Sequence, residues 1–597
     1  MTTTRSSTDS EPRWRTDDFF PGLDSPEYAR AVDELSTAAQ ALGELWDRLG
    51  VRRGEQPQDL SAAFEAVTTT LNALLGKLRP LWAYVYAFTS TDSRDDLAQA
   101  KASELEMLIQ PMRGLFIRYD AWTGGLDHET LKATSALARS HSYLLERAHY
   151  DLQHQMSPAE EALASELSLS SNMAWYKLRS NLSSQLYAEF GGERLSMSAI
   201  RNLADDPDAG VRQRAFEAEL QLWQSAEVPL AAALNSIKGQ MGILNRRRGY
   251  VGAVEATLQG NGIDRATLDA MQRAVVASFP DFRRYFRAKA RTLGHADGKL
   301  PWADLFAPVG EPGRVWTYPE AQMFVEESFR SYSPRLGDFA ARAFRENWID
   351  VPPRDGKAGG AFCMNWTLGE SRILLNHAPS LSKTMTLAHE LGHAYHNLCL
   401  AGRTPLQRDH PMTLAETASI FCETIVQRRA LASATGQERL YVLETMLIGH
   451  AQVVVDIHSR FLFESAVFEG REKREFAAAE LCALMEQAQQ DTYGEVLSSL
   501  HPYAWASKSH YYSSSFYNYP YTFGLLFGLG LYARYQTDPD AFRAQYDDLL
   551  SRTGMESAAS LAAEFGVDIR DEAFWVSSLD VIRGNIQEYE ALAATLG

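Results

Sequence analysis

SLSKTMTLAHELGHAYHNLCLAG, residues 380–402, reads as a single helix, and the rest of the chain must be built around it. Ser380 or Ser382 offers an N-cap, Met385, Leu391 and Leu398 supply an apolar stripe, and Gly402 ends the pattern. Inside it His389-Glu390-Leu391-Gly392-His393 forms an HExxH motif. Four residues at about 100° each return to within roughly 40° of the starting direction, so both imidazoles leave one helix face. Zinc held by two neutral imidazoles needs a third protein ligand and an open position for water. Glu390, rotated away from His389, can reach that water as a general base. With 14 His in 597 residues and Glu near its usual frequency, such a motif arises by chance on the order of 0.02 times in a chain of this length.

A metzincin would continue with Gly and His at positions 396 and 399, where this chain has His396 and Cys399, so the third ligand lies elsewhere. PMTLAETASIFCE, residues 411–423, opens a second helical pattern. Its Glu416, 23 residues after His393, is what a two-His, one-Glu site requires of a neighbouring helix. A local reading competes: Thr413-x-x-Glu416 matches a capping box in which Glu416 only satisfies the Thr413 N–H. Beside HExxH the ligand reading is preferred. His396 lies almost on the face of His389 but one turn too far to share a tetrahedral ion easily, and reads as a neighbour of the site or as core. Cys399 and Cys422 fall in apolar helical stretches and read as small buried hydrophobes rather than thiolate ligands. Glu423 either orients a ligand histidine or forms a helix-surface ion pair. Further on, SHYY (509–512) and FYNYPY (516–521) are densely phenolic. A Tyr O–H or His N–H in a dry cleft stabilises negative charge on an attacked carbonyl, although any one of these tyrosines reads more readily as core.

Upstream of the motif helix, Ala361 to Trp366 and Arg372 to Asn376 read as two short strands with a Thr367–Glu370 hairpin turn, preceded by the turn cluster DGKAGG at 355–360. An extended peptide bound along an edge strand near Arg372 to Asn376 would be held by main-chain hydrogen bonds and read with little sequence preference. From about Ser25 to Leu220 apolar residues recur at three and four, as in Leu60–Leu78, Asp95–Leu108 and Pro158–Leu182, which predicts an all-helical half without a chemical motif. The class is mainly α.

The chain carries 58 Lys+Arg against 76 Asp+Glu, a net charge of −18. That balance repels phosphate backbones and anionic lipid at long range, so neither nucleic acid nor a membrane is an expected partner. Four cysteines without a CxxC pair argue against a disulfide scaffold and a cysteine-built zinc site. The first twenty residues hold no continuous apolar h-region, and Tyr521–Tyr532 is too short to span a bilayer. The sequence predicts a soluble, cytoplasmic protein.

HELGHAYH (389–396), LAETASIFCE (414–423) and the 510–521 stretch together resemble the oligoendopeptidase F branch of the thimet oligopeptidase family of zinc peptidases. GAFC (360–363), ESRILLN (370–376) and the opening PRW (12–14) with FPGLDS (20–25) are similar to further segments of that family, so the likeness spans almost the whole chain. The resemblance implies a two-lobed helical ellipsoid with a deep central substrate channel and a small sheet beside the HExxH helix. It also implies an N-terminal helical domain over 1–200 and a catalytic domain over 201–597. It implies one Zn2+ bound by His389, His393 and Glu416, with Glu390 as base. His510, Tyr517, Tyr519 and Tyr521 match its substrate and oxyanion residues, with the choice among Tyr512, Tyr517, Tyr519 and Tyr521 open. The implied activity is endopeptidase cleavage of short unfolded peptides by a water activated at zinc. Carboxypeptidase or dipeptidyl carboxypeptidase action uses the same chemistry, and a non-catalytic peptide-binding protein is the remaining alternative.

Overall fold

The computed structural model describes residues 11–596, so the reading of residues 1–10 as lacking a signal lies outside the described residues. The chain divides into two units. One runs to Gln153 and takes in Val315–Arg429 and Arg534–Phe565; the other comprises His154–Arg314, Ala430–Ala533 and the segment from Gly566. Among the described residues the fold is mainly helical with two small sheets.

In the first unit the helices Pro26–Arg48, Leu60–Thr91 and Asp96–Thr123 start where their caps predict. The side chains of Ser25, Asp59 and Asp95 accept from Tyr28 N, Ala62 N and Ala98 N. The latter two run well past Leu78 and Leu108, through Pro80 and Pro111. Their apolar faces join Phe19, Phe20, Tyr28, Tyr84 and Trp366 in one aromatic cluster. The opening segment is tied to the sheet by Val351 N to Pro12 O (3.0 Å) and Arg15 N to Asn347 O (2.9 Å). The buried Arg372 guanidinium donates to Arg15 O, pairs with Asp18 and lies 4.6 Å over the Trp366 ring.

The two predicted strands form, at Phe362–Thr367 and Glu370–Leu374, antiparallel in the register Cys363↔Ile373 and Met364↔Arg372. A third strand, Ile349–Asp350, pairs parallel to Glu370–Leu374 on its other side. Two residues amid prolines gave no period-2 signal to find it by. Its presence corrects one expectation: Glu370–Leu374 is the central strand, hydrogen-bonded on both edges, so no peptide can add there. The longer strand with an unpaired edge is Phe362–Thr367.

The second unit departs from the all-helical expectation at Tyr187–Phe190 and Glu193–Ser196, an antiparallel hairpin. Its loop is Gly191-Gly192, both with positive φ (62° and 87°), which is the backbone a two-residue hairpin turn needs and a side chain resists. Pro158–Leu182 also breaks, into helices Pro158–Ser168 and Asn172–Ser184. Among the described residues one helix, Gly436–Arg471, is long and apolar enough to cross a membrane by length and composition, with 61% of that window buried. Its Glu444 accepts from Lys289 (2.6 Å) and Tyr285 (2.9 Å), and its Glu464 from Lys238 (2.6 Å), each deep in the packing of the unit.

Candidate metal centre

The motif helix occupies Leu381–Cys399 and begins at the predicted cap, with Ser380 Oγ accepting from Lys383 N. Leu381, Met385, Leu387, Ala388, Leu391 and Tyr395 bury one side of it. Gly392, between the two histidines, sets how close the next helix comes: a Cβ there would lie 2.6 Å from Ser419 Cα and 2.7 Å from Ala418 O. The helices Leu381–Cys399 and Thr417–Ser433 therefore cross backbone to backbone. Glu416, at the break between the short helix Met412–Ala415 and Thr417–Ser433, is delivered to the histidine face. Gly392→Ala is expected to cost about 1–3 kcal/mol by overpacking and to lower metal affinity about tenfold by moving Glu416 outward; chemical denaturation and competitive chelator titration read the two effects.

Glu416 Oε2 lies 3.2 Å from His389 Nε2 and 3.5 Å from His393 Nε2. One donor atom from each of the three residues falls within 4.8 Å of the others. Ligands at zinc bond lengths near 2.05 Å in a tetrahedron stand about 3.3 Å apart, which the two Glu416–histidine distances match. Ser419 Oγ donates to Glu416 Oε2 (2.7 Å). Glu423 Oε2 meets His389 Nδ1 (3.1 Å), and Gln427 Nε2 donates to Glu423 Oε1 (2.8 Å). Glu423 thus holds the His389 imidazole of the candidate set in place. The capping box does not form: the short helix is capped by Pro411, and Thr413 lies inside it.

The electrostatics are those of a site built for a cation. Burial works against ionising Glu416, but the hydrogen bond from His389 and the charges of His393 and His389 outweigh it and hold its carboxyl near 2. Burial likewise opposes protonation of His389, and hydrogen bonds and charge from Glu416 and Glu423 overcome it and raise the imidazole well above its ordinary value. His393 is held down near 4 by burial and by His389. Glu390 is 6% exposed, and its Oε2 has no hydrogen-bond partner. Burial, reinforced by Glu416 and Glu423 and opposed by His389, pushes it up to about 7. An orphaned buried carboxylate is costly to keep, and one poised near neutrality beside a ligand set is equipped to move a proton.

The other sequence candidates separate cleanly. His396 is buried, with Nε2 on Thr553 Oγ1 (2.8 Å) and its ring 4.7 Å from that of His410. Cys399 and Cys422 are held as thiols by burial.

The phenolic segment belongs to the second unit and builds a cluster there. The rings of His510 and Tyr517 are 4.7 Å apart, His510 and Tyr521 6.2 Å, and Tyr517 and Tyr521 5.6 Å. Burial, then the Arg460, Lys508 and Arg179 cations, keep His510 below its ordinary value, hence a neutral N–H donor. Tyr519 does not join them: its hydroxyl is engaged by Thr257 Oγ1 (3.0 Å) and Asn261 Nδ2 (2.9 Å). Tyr512 is buried beneath Arg179.

Residues that sequence reading missed hold this segment. Phe516 takes positive φ (50°), a strained backbone for a bulky residue, and its N–H donates to Glu464 Oε1 (3.0 Å). Asn518 Nδ2 donates to Glu464 Oε2 (2.9 Å), and Lys238 Nζ donates to Glu464 (2.6 Å) and to Ser514 O (2.8 Å). Lys238 lies 279 positions before Tyr517 and Glu464 lies 53 before it, and each is a lone charge on a helix until the fold pairs them. Glu464→Gln strands a buried ammonium and is expected to cost about 3–5 kcal/mol, and Lys238→Met added to it to recover most of that loss, both read by denaturant unfolding.

The chain is 22% identical over 531 residues to an oligoendopeptidase F homolog of Lactococcus lactis subsp. lactis, covering 85% of this chain and 87% of that one. It is 22% identical over 612 residues to oligopeptidase PepF of Bacillus subtilis, covering 98% and 88%. Its fold matches the crystal structure of oligoendopeptidase F from Enterococcus faecium with a TM-score of 0.67 at 17% identity, over 97% and 99% of the two chains. It matches PZ peptidase A with an inhibitor at a TM-score of 0.73 and 16% identity, over 96% and 99%. Residues 202–581, well over half the chain and including His389, His393 and Glu416, match Peptidase family M3, and the protein is a metallopeptidase of that family.

Proposed function

We propose that the protein is a zinc-dependent endopeptidase that hydrolyses internal bonds of short, unfolded oligopeptides, with residues 201–597 as its catalytic segment. The observation that carries this reading is Glu390, buried, unpartnered and near neutral, on the helix turn that bears both histidines. His389, His393 and Glu416 would hold the zinc, which when bound supplies a Lewis acid for the scissile carbonyl and acidifies a water. Glu390 takes the proton of the attacking water and returns it to the leaving amine. His510, Tyr517 and Tyr521 donate hydrogen bonds to the substrate as negative charge develops on its carbonyl oxygen, and Tyr519 holds the backbone that presents them. Glu423 keeps His389 in the tautomer that offers Nε2 outward.

The test is an internally quenched peptide with an amidated C-terminus, given to the zinc-loaded protein and its products mapped by mass spectrometry. Cleavage at an internal bond supports the reading. Trimming of free-acid peptides only, with the amide untouched, would replace it by a carboxypeptidase or dipeptidyl carboxypeptidase.

A further inference from the structure

The second unit holds a cavity of about 270 Å³, just under the usual size range of small-molecule sites. Its walls mix aromatic side chains, among them Phe216, Phe286, Trp302 and Tyr493, with a set of charges. Almost every charge is spoken for. Arg212 pairs with Asp304 (2.8 Å) and Arg201 with Glu219 (3.0 Å). Glu219 also takes Trp223 Nε1 (3.1 Å) and His501 Nε2 (3.4 Å), and Asp456 is paired with Arg460. Lys508 is the exception: among the described residues its ammonium has neither an ion pair nor a hydrogen bond, and the part-buried residue lines the cavity. The buried His501 Nδ1 also lacks a partner, while the ring of that histidine is fixed edge-on to Phe216 (5.5 Å) and Trp302 (5.5 Å).

A second feature points the same way. The helix running from Gly436 to Arg471 is broken by a π-helical turn at Gln452–Asp456, and both Gln452 and Asp456 face the cavity. Such turns interrupt the helical ladder at a cost and concentrate at functional sites. Phe306, 39% exposed, stands in the lining where solvent reaches it.

We propose that this cavity is a second ligand site, which takes a small organic carboxylate with an apolar or aromatic body, the carboxylate on Lys508 and the body against the Trp302, Phe216 and Phe286 rings. An unpaired ammonium in a low-dielectric space either finds an anion or loses its proton. Burial first, then Arg460 and Arg201 against Asp456 and Glu219, bring Lys508 down to about 7, where a small change in its surroundings decides its charge. A bound carboxylate restores the charge, and the aromatic walls give affinity to whatever carries it.

Isothermal titration of the zinc-loaded full chain with 3-phenylpropionate, and with 3-phenylpropanamide as its neutral isostere, tests this. The carboxylate is expected to bind at least about tenfold more tightly than the amide, about 1.4 kcal/mol. Lys508→Met should reduce the carboxylate to the level of the amide without changing the amide, and Lys508→Arg should keep the preference. Because Lys508→Met removes an unpaired, part-buried charge, its melting temperature should equal or exceed that of the parent, which separates lost binding from lost fold. Equal affinity for acid and amide overturns the proposal. So does carboxylate binding that survives Lys508→Met but disappears in Glu416→Ala, which would place the anion at the metal centre instead.

Discussion

Glu390→Gln is expected to lower kcat on an internally quenched peptide by about 10²–10⁴-fold, the range by which a positioned acid–base group accelerates proton transfer, while zinc content and KM stay close to the parent. The amide is isosteric, so the helix turn between His389 and His393 keeps its packing, and Glu390 is not one of the three clustered donors. What is lost is the ability to exchange a proton. In the parent, burial lifts this carboxyl to about 7, with Glu416 and Glu423 pushing the same way and His389 against. Binding a cation at the ligand set adds positive charge nearby and draws that value down, so the base is ionised in the loaded enzyme at neutral pH. On the acid side activity should fall as Glu390 takes up its proton. The variant, having no group to titrate there, should lose that limb from its residual kcat/KM profile. Parent-like turnover in Glu390→Gln at full zinc occupancy would remove Glu390 from the mechanism.

The candidate metal face was legible because it is local. HExxH needs only the 3.6-residue period, and Glu416 needs only a second helix close by, which Gly392 permits through its backbone contact with Ala418 and Ser419. Glu423 could be seen as one of two readings, and the crossing of the helices chose between them. What stayed hidden depends on pairing across long separations. Glu464 and Lys238 stand 226 positions apart, and nothing in either neighbourhood marks them as the clamp on the 514–518 backbone. The third strand, Ile349–Asp350, is created by its partner rather than by its own two residues. The hairpin at 187–196 was announced only by Gly191-Gly192, a turn signal outweighed by helical periodicity on both sides. Among the tyrosines spacing was uninformative, since four phenols within ten positions on irregular and helical backbone point in different directions: Tyr517 and Tyr521 meet His510, whereas Tyr519 turns to Asn261.

Glu416→Ala carries the second large effect, because it removes a ligand and a counter-charge at once. Two imidazoles from one helix turn are left to hold the ion, and affinity is expected to fall by about 10²-fold or more, beyond the tenfold-to-hundredfold cost of losing a group that only orients a ligand. Peptide cleavage should vanish at stoichiometric zinc and return only in part with excess metal. The metal-free protein reports independently. There Glu416 has its carboxyl depressed to about 2 from an ordinary 4.5, so its contribution to stability is present above 4.5 and is lost as pH falls towards 2. His389, raised by the same partner, contributes below its ordinary 6.5 and loses that contribution as pH rises through its elevated folded value. The gap in stability between parent and variant, both metal-free, should therefore be widest between about 4.5 and 6.5, where both contributions are in force, and should narrow towards pH 2 and at high pH. Denaturant unfolding at several pH values measures it. A variant that keeps one tightly held zinc and shows a pH-independent gap would mean that another side chain completes the coordination and that the carboxylate at 416 serves only its own helix.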